Sequence, residues 1–268
     1  MTDANATSAR HIGGRGASAL QLAASANWGN RHVPGTKTVS VMSGLALEVA
    51  VNRWLKPKFE ADSGQRLDID WRPTTAIMKS VAEGGRADVA IVISDAMDKL
   101  VADGIVLGES RAALADSVLG VGVRQGAPRP DVSTIDAFRQ AMLGARAVAY
   151  SKAGASGIYF SNLIARLGIA DSVNAKAVVI PMGFTAEKVA NGEADLAVQQ
   201  ISELMTVSGI DVAGPFPDDI QVVSRFDAAI FTDAANADGA QALLRHLTSP
   251  AAAKAYGDGG LTSRLAQG

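Results

Sequence analysis

The sequence predicts an α/β protein made of two similar lobes, with mainly parallel sheets and a ligand cleft between the lobes. The first supporting observation is a repeated module. Glu83-Gly84-Gly85-Arg86-Ala87-Asp88 runs into Val89-Ala90-Ile91-Val92-Ile93, and Asn191-Gly192-Glu193-Ala194-Asp195 runs into Leu196-Ala197-Val198-Gln199-Gln200. Each copy reads as the end of an amphipathic helix, a glycine in the left-handed stop position, a turn ending in Asp, and a strand. The second observation is element order, βαβαβ in each half, which a right-handed parallel winding accommodates. The third is a departure. The first module's strand is apolar on both faces, as a sheet covered by helices requires, whereas the second carries Gln199 and Gln200 where its strand should be ending.

Taken in order, Val39-Ser40-Val41-Met42 reads as a short strand turning at Ser43-Gly44, followed by a helix over 45–59 with Leu45, Val49, Trp54 and Leu55 on its apolar side. Leu67-Asp68-Ile69-Asp70-Trp71 alternates as a strand, and Thr74-Thr75 precedes the helix over 76–83 in the manner of a cap. The module strand from 88, a helix over 95–102 and a buried strand over 116–123 follow. In the second half Ser133 is placed to cap a helix over 135–143, and Ala147-Val148-Ala149-Tyr150 is a strand. The small-residue loop 151–157 then enters a helix over 158–167. Val178-Val179-Ile180 ends at Pro181-Met182-Gly183, which opens the helix of the second module. A strand over 222–231 and helices over 239–248 and from 249 complete the chain. This order predicts a leader over 1–38, one lobe from 39–121 plus 226–268, and a second over 122–225. Crossing strands near 121–124 and 224–226 join them, and the C-terminal helices return to the first lobe.

In such sheets ligands sit at the carboxyl ends of the strands. Four strand-to-helix turns here are built from small or hydroxyl residues: Ser43-Gly44, Thr74-Thr75, Ser156-Gly157 and Gly183. Together they would bring helix N-termini, with free N–H groups and partial positive charge, to one edge, which is an anion site made from backbone. The expected ligand-binding residues are Ser43, Gly44, Arg72, Thr74, Thr75, Ser156, Gly183 and Gln200. Arg72 stands at the mouth, where its guanidinium suits a carboxylate, and Lys152 adds a second positive group.

Composition narrows the partners. The chain has 268 residues, 48% of them hydrophobic, and a net charge of −2, so nucleic acid is not expected as a partner. There is no cysteine, which excludes disulfides, thiolate metal sites and a cysteine nucleophile. His11, His32 and His246 fit no metal-ligand spacing, so neither metal nor cofactor is expected. No apolar stretch approaches the ~20 residues that span a bilayer. Arg10 and Arg15 precede a short Gly/Ala/Ser-rich segment and the small-x-small sequence Ala24-Ser25-Ala26. Interrupted by Ser18 and Gln21, it reads as a leader rather than a secretory signal.

At these turns and modules, together with Gly154-Ala155-Ser156-Gly157 and Leu247-Thr248-Ser249-Pro250-Ala251-Ala252, the chain resembles type II periplasmic binding proteins of the molybdate-binding-protein superfamily over about residues 39–268. The resemblance implies a monomeric protein that closes around a small anion, oxyanion or carboxylate, with an ABC transporter permease as partner. It implies a periplasmic location, against which the leader leaves a cytoplasmic one open. Matched by position, the family's first-turn serine falls near Ala46, and its neutral tyrosine hydroxyl is replaced by Gln200. One branch of the superfamily, aconitate isomerase, catalyses an allylic proton shift on an unsaturated tricarboxylate, and its likeness implies that activity as the alternative. Glu48, Lys152, Tyr159 and Glu203 are candidate bases, and the sequence does not choose among them.

Overall fold

The computed structural model describes residues 38–152 and 154–265. The leader expected over 1–38, with His11 and His32, lies outside the described residues apart from Thr38. β1 (Thr38–Ser43) leads through a 3-10 turn (Leu45–Leu47) into α1 (Glu48–Ala50), a π turn (Val51–Leu55) and α2 (Lys56–Ser63). β2 (Arg66–Trp71), α3 (Thr74–Ala82), β3 (Val89–Ile93), α4 (Ser94–Ala102) and the long β4 (Ala112–Arg124) follow. The second pass runs α5 (Ile135–Gly144), β5 (Val148–Ser151), α6 (Ala155–Arg166), α7 (Ala170–Asn174), β6 (Ala177–Ile180), α8 (Ala186–Ala190), β7 (Leu196–Gln200), α9 (Ile201–Leu204) and β8 (Ile210–Pro215). β9 (Val223–Ile230), α10 (Ala237–Leu247), α11 (Pro250–Asp258) and β10 (Thr262–Ser263) close it.

The sheet order is β2-β1-β3-β9-β4-β7-β5-β6, with β8 and β10 also paired to β4. Its two outer parts are parallel, as the module order predicts, and its middle is antiparallel. Both parts share one strand. β4 pairs with β9 up to Val118 and with β7 from Leu119 onward, so this one strand crosses from one set of partners to the other. Thirteen residues allow this, since at about 3.4 Å each the strand reaches about 44 Å, enough for two sets of partners. β8, α7 and α9 were not legible in the sequence, because each is short and lacks a periodic pattern of its own.

The repeated module has one local logic. Gly84 and Gly192 adopt φ of 92° and 84° and end α3 and α8 in the left-handed region that favours glycine. The Asp that follows then fastens its strand to the parallel neighbour. Asp88 accepts from Ser40 N and Ser40 Oγ, both at 2.7 Å, and Asp195 accepts from Arg146 N at 2.7 Å. Asp88 is buried and needs such partners, whereas Asp195 is part-exposed. In each half the Asp ties its strand to the neighbouring one.

Each part of the sheet is covered on both faces. In the first, Val39, Val41 and Ile91 pack under Leu243, Leu247, Ala252 and Tyr256, so the C-terminal helices lie on this part. Met42, Ala90 and Val92 face Ile77, Met97 and Leu100 on the other side. In the second, Val148, Leu196 and Val198 pack against Phe138, Met142, Phe160 and Leu163, and Ala149 and Ala197 against Ala186 and Val189.

The chain re-enters the first part at Gln221, whose side chain stands in for a strand. Its Oε1 accepts from Leu119 N at 2.9 Å, and its Nε2 donates to Leu119 O at 3.0 Å, on the residue where β4 changes partners. Leu119 is 1% exposed, so water cannot replace these bonds. Gln221→Ala is expected to lower unfolding stability by about 1–3 kcal/mol, the cost of a buried unpaired amide. Urea denaturation followed by circular dichroism measures it.

Candidate functional site

The carboxyl ends of β1, β3, β5 and β7 meet around one open cavity of about 600 Å³, solvent mouth included. Gly44, Leu45, Pro73, Thr74, Thr75, Ile93 and Phe226 line it from the first part of the sheet. Ser151, Gly154, Ala155, Ser156, Met182, Gly183, Gln199, Gln200 and Glu203 line it from the second. Six of the eight residues singled out from the sequence, Gly44, Thr74, Thr75, Ser156, Gly183 and Gln200, are therefore brought together.

The other two stand apart. Ser43 is fully buried, and its hydroxyl donates to Gly44 O at 3.2 Å. Arg72 is outside the lining and forks onto Asp70, Nε to Oδ1 at 2.8 Å and Nη2 to Oδ2 at 2.6 Å. Alternation puts Asp70 and Arg72 on one side of the strand that ends β2, so the guanidinium finds a carboxylate two residues away. Lys152 is exposed and also outside the lining. Among the described residues that line the cavity there is neither lysine nor arginine.

Donors come instead from helix starts. Five helical segments have an N-cap residue in the cavity wall: Gly44, Pro73, Ile93, Gly154 and Gln200. None of the five is capped by a side chain. By contrast α5, α10 and α11, away from the cavity, are capped by Thr134, Asn236 and Ser249 at 3.0–3.2 Å. Two expectations are corrected here. Thr134 rather than Ser133 caps α5. Thr74 does not cap α3 but is its first residue, because Pro73 fixes the extended entry and takes the N-cap place without a side chain that can accept. The amides of Thr74 and Thr75, and those opening α6, thus face the cavity unused, with the helix dipole behind them.

The start of α6 depends on Gly157. A Cβ there would lie 1.7 Å from Ser151 O, so only glycine lets the helix begin against the end of β5. The hydroxyls of Thr74, Thr75, Ser151 and Ser156 make no hydrogen bond among the described residues, and each can donate to a ligand.

Of the four candidate bases, one belongs to the cavity. Tyr159 donates to Ile220 O at 2.9 Å and lies under Arg166, and Glu48 is outside the lining although burial raises its pKa. Glu203 lines the cavity and is only 7% exposed. Burial pushes its pKa up to about 7. Hydrogen bonds from the Gln199 amide and the Gln200 backbone oppose the rise, and Glu48 adds to it. Its position follows from local geometry: Gln200 is the N-cap of α9 and Glu203 the third helical residue, the spacing of a capping box. The spacing Gln200-Ile201-Ser202-Glu203 held that signal in the sequence.

Gln200 is 6% exposed, and its Oε1 has no partner among the described residues. Gln199, which the sequence marked only as a polar break, is bonded throughout: Oε1 accepts from Thr185 N at 2.8 Å and Thr185 Oγ1 at 3.0 Å, and Nε2 donates to Gly183 O at 2.9 Å.

Residues 39–262 match the family model for the bacterial extracellular solute-binding protein. The chain belongs to that family. Over 236 residues it is 40% identical to an aconitate isomerase from Pseudomonas sp, covering 86% of this chain and 89% of that protein. Among solved structures it is similar to the periplasmic molybdate-binding protein of Azotobacter vinelandii, with a TM-score of 0.68, 18% identity and coverage of 84% and 98% of the two chains. It is also similar to a tungstate-binding protein from Desulfovibrio alaskensis, with a TM-score of 0.58, 16% identity and coverage of 85% and 99%. At these identities the structural matches establish the type II periplasmic binding fold.

The raised pKa of Glu203 has a consequence for stability. Below about 4.5 the carboxyl is protonated whether folded or unfolded. Between 4.5 and about 7 the unfolded chain ionises while the folded one holds its proton, so stability falls as pH rises, and above about 7 the loss is complete. Relative to Glu203→Gln, the wild type is expected to lose about 3 kcal/mol across this window. Thermal unfolding of both proteins from pH 4.5 to 8 reads the difference.

Proposed function

We propose that this protein isomerises an unsaturated di- or tricarboxylate of the aconitate type, with Glu203 moving the proton. The observation that carries this reading is a carboxyl in the cavity wall whose pKa burial pushes up to about 7. A general base is most effective with a pKa near the working pH, and one that both takes and returns a proton needs this more than any other. Glu203 as carboxylate would remove a proton from the methylene that is α to one carboxylate and allylic to the double bond. The C–H electron pair becomes the new double bond, the old π pair moves to the far carbon, and Glu203 delivers its proton there. Atoms and electrons balance without oxidant or cofactor. Charge building on the substrate carboxylates would be met by the amides of Thr74, Thr75, Ala155 and Ser156, with the hydroxyls of Thr74, Thr75 and Ser156 and the amide of Gln200 as further donors. Phe226 and Ile93 would hold the carbon frame. The 40% identity to an aconitate isomerase supports the same reading.

A second reading, anion capture without turnover, is favoured by the wall itself, whose donors are all neutral. Glu203 would then stay protonated and donate to the bound anion, and a transporter permease would be the partner. On either reading the lobes 39–121 plus 226–268 and 122–225 would close over the ligand. Arg72, held by Asp70, would contribute little.

Incubation with cis-aconitate, with the acids separated by chromatography, is the direct test. Turnover to trans-aconitate is expected. In Glu203→Gln it should fall by about 10²–10⁴-fold, the usual worth of a general base. The same variant should still be stabilised by trans-aconitate, by about 2.7 kcal/mol at a hundred times its dissociation constant. No conversion by the wild type, with stabilisation by molybdate or tungstate, would decide for capture. Arg72→Ala should change trans-aconitate affinity by less than about 1 kcal/mol, as for a half-exposed ion pair. A larger loss would restore Arg72 as a carboxylate clamp.

A further inference from the structure

α9 is four residues long and carries Glu203, so whatever seats this short helix decides where that carboxyl stands. The seat is a strip of β4 without side chains. Gly120 and Gly122 are two apart on the strand and so point to one face, while Val121 between them packs with Phe138 and Phe160 on the other. A Cβ on Gly120 would lie 2.6 Å from Ile201 Cγ1 and 3.0 Å from Gly214 O. One on Gly122 would lie 3.1 Å from Leu204 Cδ2 and 3.3 Å from Ile210 Cγ2. Ile201 and Leu204 are three apart in α9 and share a side of the helix. The glycine spacing of the strand thus meets the side-chain spacing of the helix. Beside them Ser117 Oγ lies 3.3 Å from Ser202 Oγ, and both serines are buried. The turn after α11 closes the seat from the first part of the sheet, where a Cβ on Gly260 would lie 2.6 Å from Met205 Sδ.

We propose that Gly120 and Gly122 are positioning residues for Glu203: they form a shelf on β4 whose depth sets how far α9, and with it the carboxyl, sinks into the cavity wall. The proposal rests on the isomerase reading for its catalytic meaning, but the shelf is testable without turnover. A methyl added to the shelf displaces α9, because a close-packed interior has no room to absorb it. On Gly120 it meets the backbone of β8 as well as Ile201. A displaced helix admits water beside Glu203, and burial is the main cause of its raised pKa. The charged groups on the elements packed against α9 are few. Glu48 of α1 is a like charge that pushes in the same direction as burial. Arg53 donates to Met205 O. On β4 and β8, Asp116 and Asp211 are paired with Arg264 and Arg129, and Arg124 donates to Ala190 O.

The test is a carboxyl titration by NMR on the full chain labelled with ¹³C-glutamate, the Glu203 resonance being the one absent in Glu203→Gln. Gly122→Ala adds one methyl against Leu204, and Leu204→Val removes one methylene from the same place, so the double variant restores the fit. Gly122→Ala is expected to lower the Glu203 midpoint by about half a pH unit or more. It should lower kcat for cis-aconitate about tenfold or more, while trans-aconitate still stabilises the protein. Gly122→Ala with Leu204→Val should recover both midpoint and kcat. Gly120→Ala should have the larger effect, and where it does not fold the milder Gly122 pair decides. A midpoint and kcat that stay unchanged while urea denaturation shows lost stability overturn the proposal, since the shelf is then only packing. Failure of Leu204→Val to recover the midpoint overturns it as well. A midpoint that shifts and recovers in a protein that never converts cis-aconitate leaves the shelf in this role and removes the isomerase reading instead.

Discussion

The arrangement depends on β4, the one strand that belongs to both parts of the sheet. Because it pairs with β9 up to Val118 and with β7 from Leu119, the strand ends of both halves are held at a common edge, and the turns after them converge. Gln221 fixes the place where the partners change by bonding both backbone groups of Leu119. Were the sheets joined by loops, the turns at Gly44, Pro73, Gly154 and Gly183 would have no common register. The cavity is thus a consequence of a shared ladder rather than of any one of its walls.

The chemistry of that cavity rests on hydrogen-bonding groups the fold leaves unused. Away from the cavity the starts of α5, α10 and α11 are completed by Thr134, Asn236 and Ser249. Around the cavity the N-cap residues are Gly, Pro, Ile and Gln, and no side chain completes the helix start. Such ends are tolerable only where water or a ligand supplies the acceptor. Glu203 stands among these donors as the one acidic residue in the wall, among the described residues, and its raised pKa is the electrostatic counterpart of the same arrangement. A neutral carboxyl does not repel an incoming anion, and an ionised one can take a proton from it.

The repeated module, the α/β class and the convergence of small-residue turns were legible in the sequence because each rests on local rules. Glycine at positive φ ends a helix, Asp begins a strand, and a strand covered on both faces is apolar. Six of the eight residues chosen on that basis line the cavity. Ser43 and Arg72 stand outside it, because what a side chain at a turn touches is settled by its neighbours in space: Gly44 O for the hydroxyl, Asp70 for the guanidinium. Asp70 lies two residues away, and alternation puts it on the same side as Arg72, so the pair closes on itself.

Glu203 and Gln199 show the boundary most clearly. Sequence by itself marked Gln199 and Gln200 as a polar break where a buried strand should be ending, and left the short helix that carries Glu203 unread. It left Glu203 level with Glu48, Lys152 and Tyr159 as a base. Only the tertiary structure separated them, by burying the Glu203 carboxyl in the cavity wall while Tyr159 is tied to Ile220 O and Lys152 remains exposed. A pKa is set by the solvent and charges around a group, and those are brought together by residues distant in sequence: Gln199 and Gln200 from β7, Glu48 from the first helical run, Phe226 from β9. Local pattern can place a carboxyl on a helix, but the water it loses is decided by the whole fold.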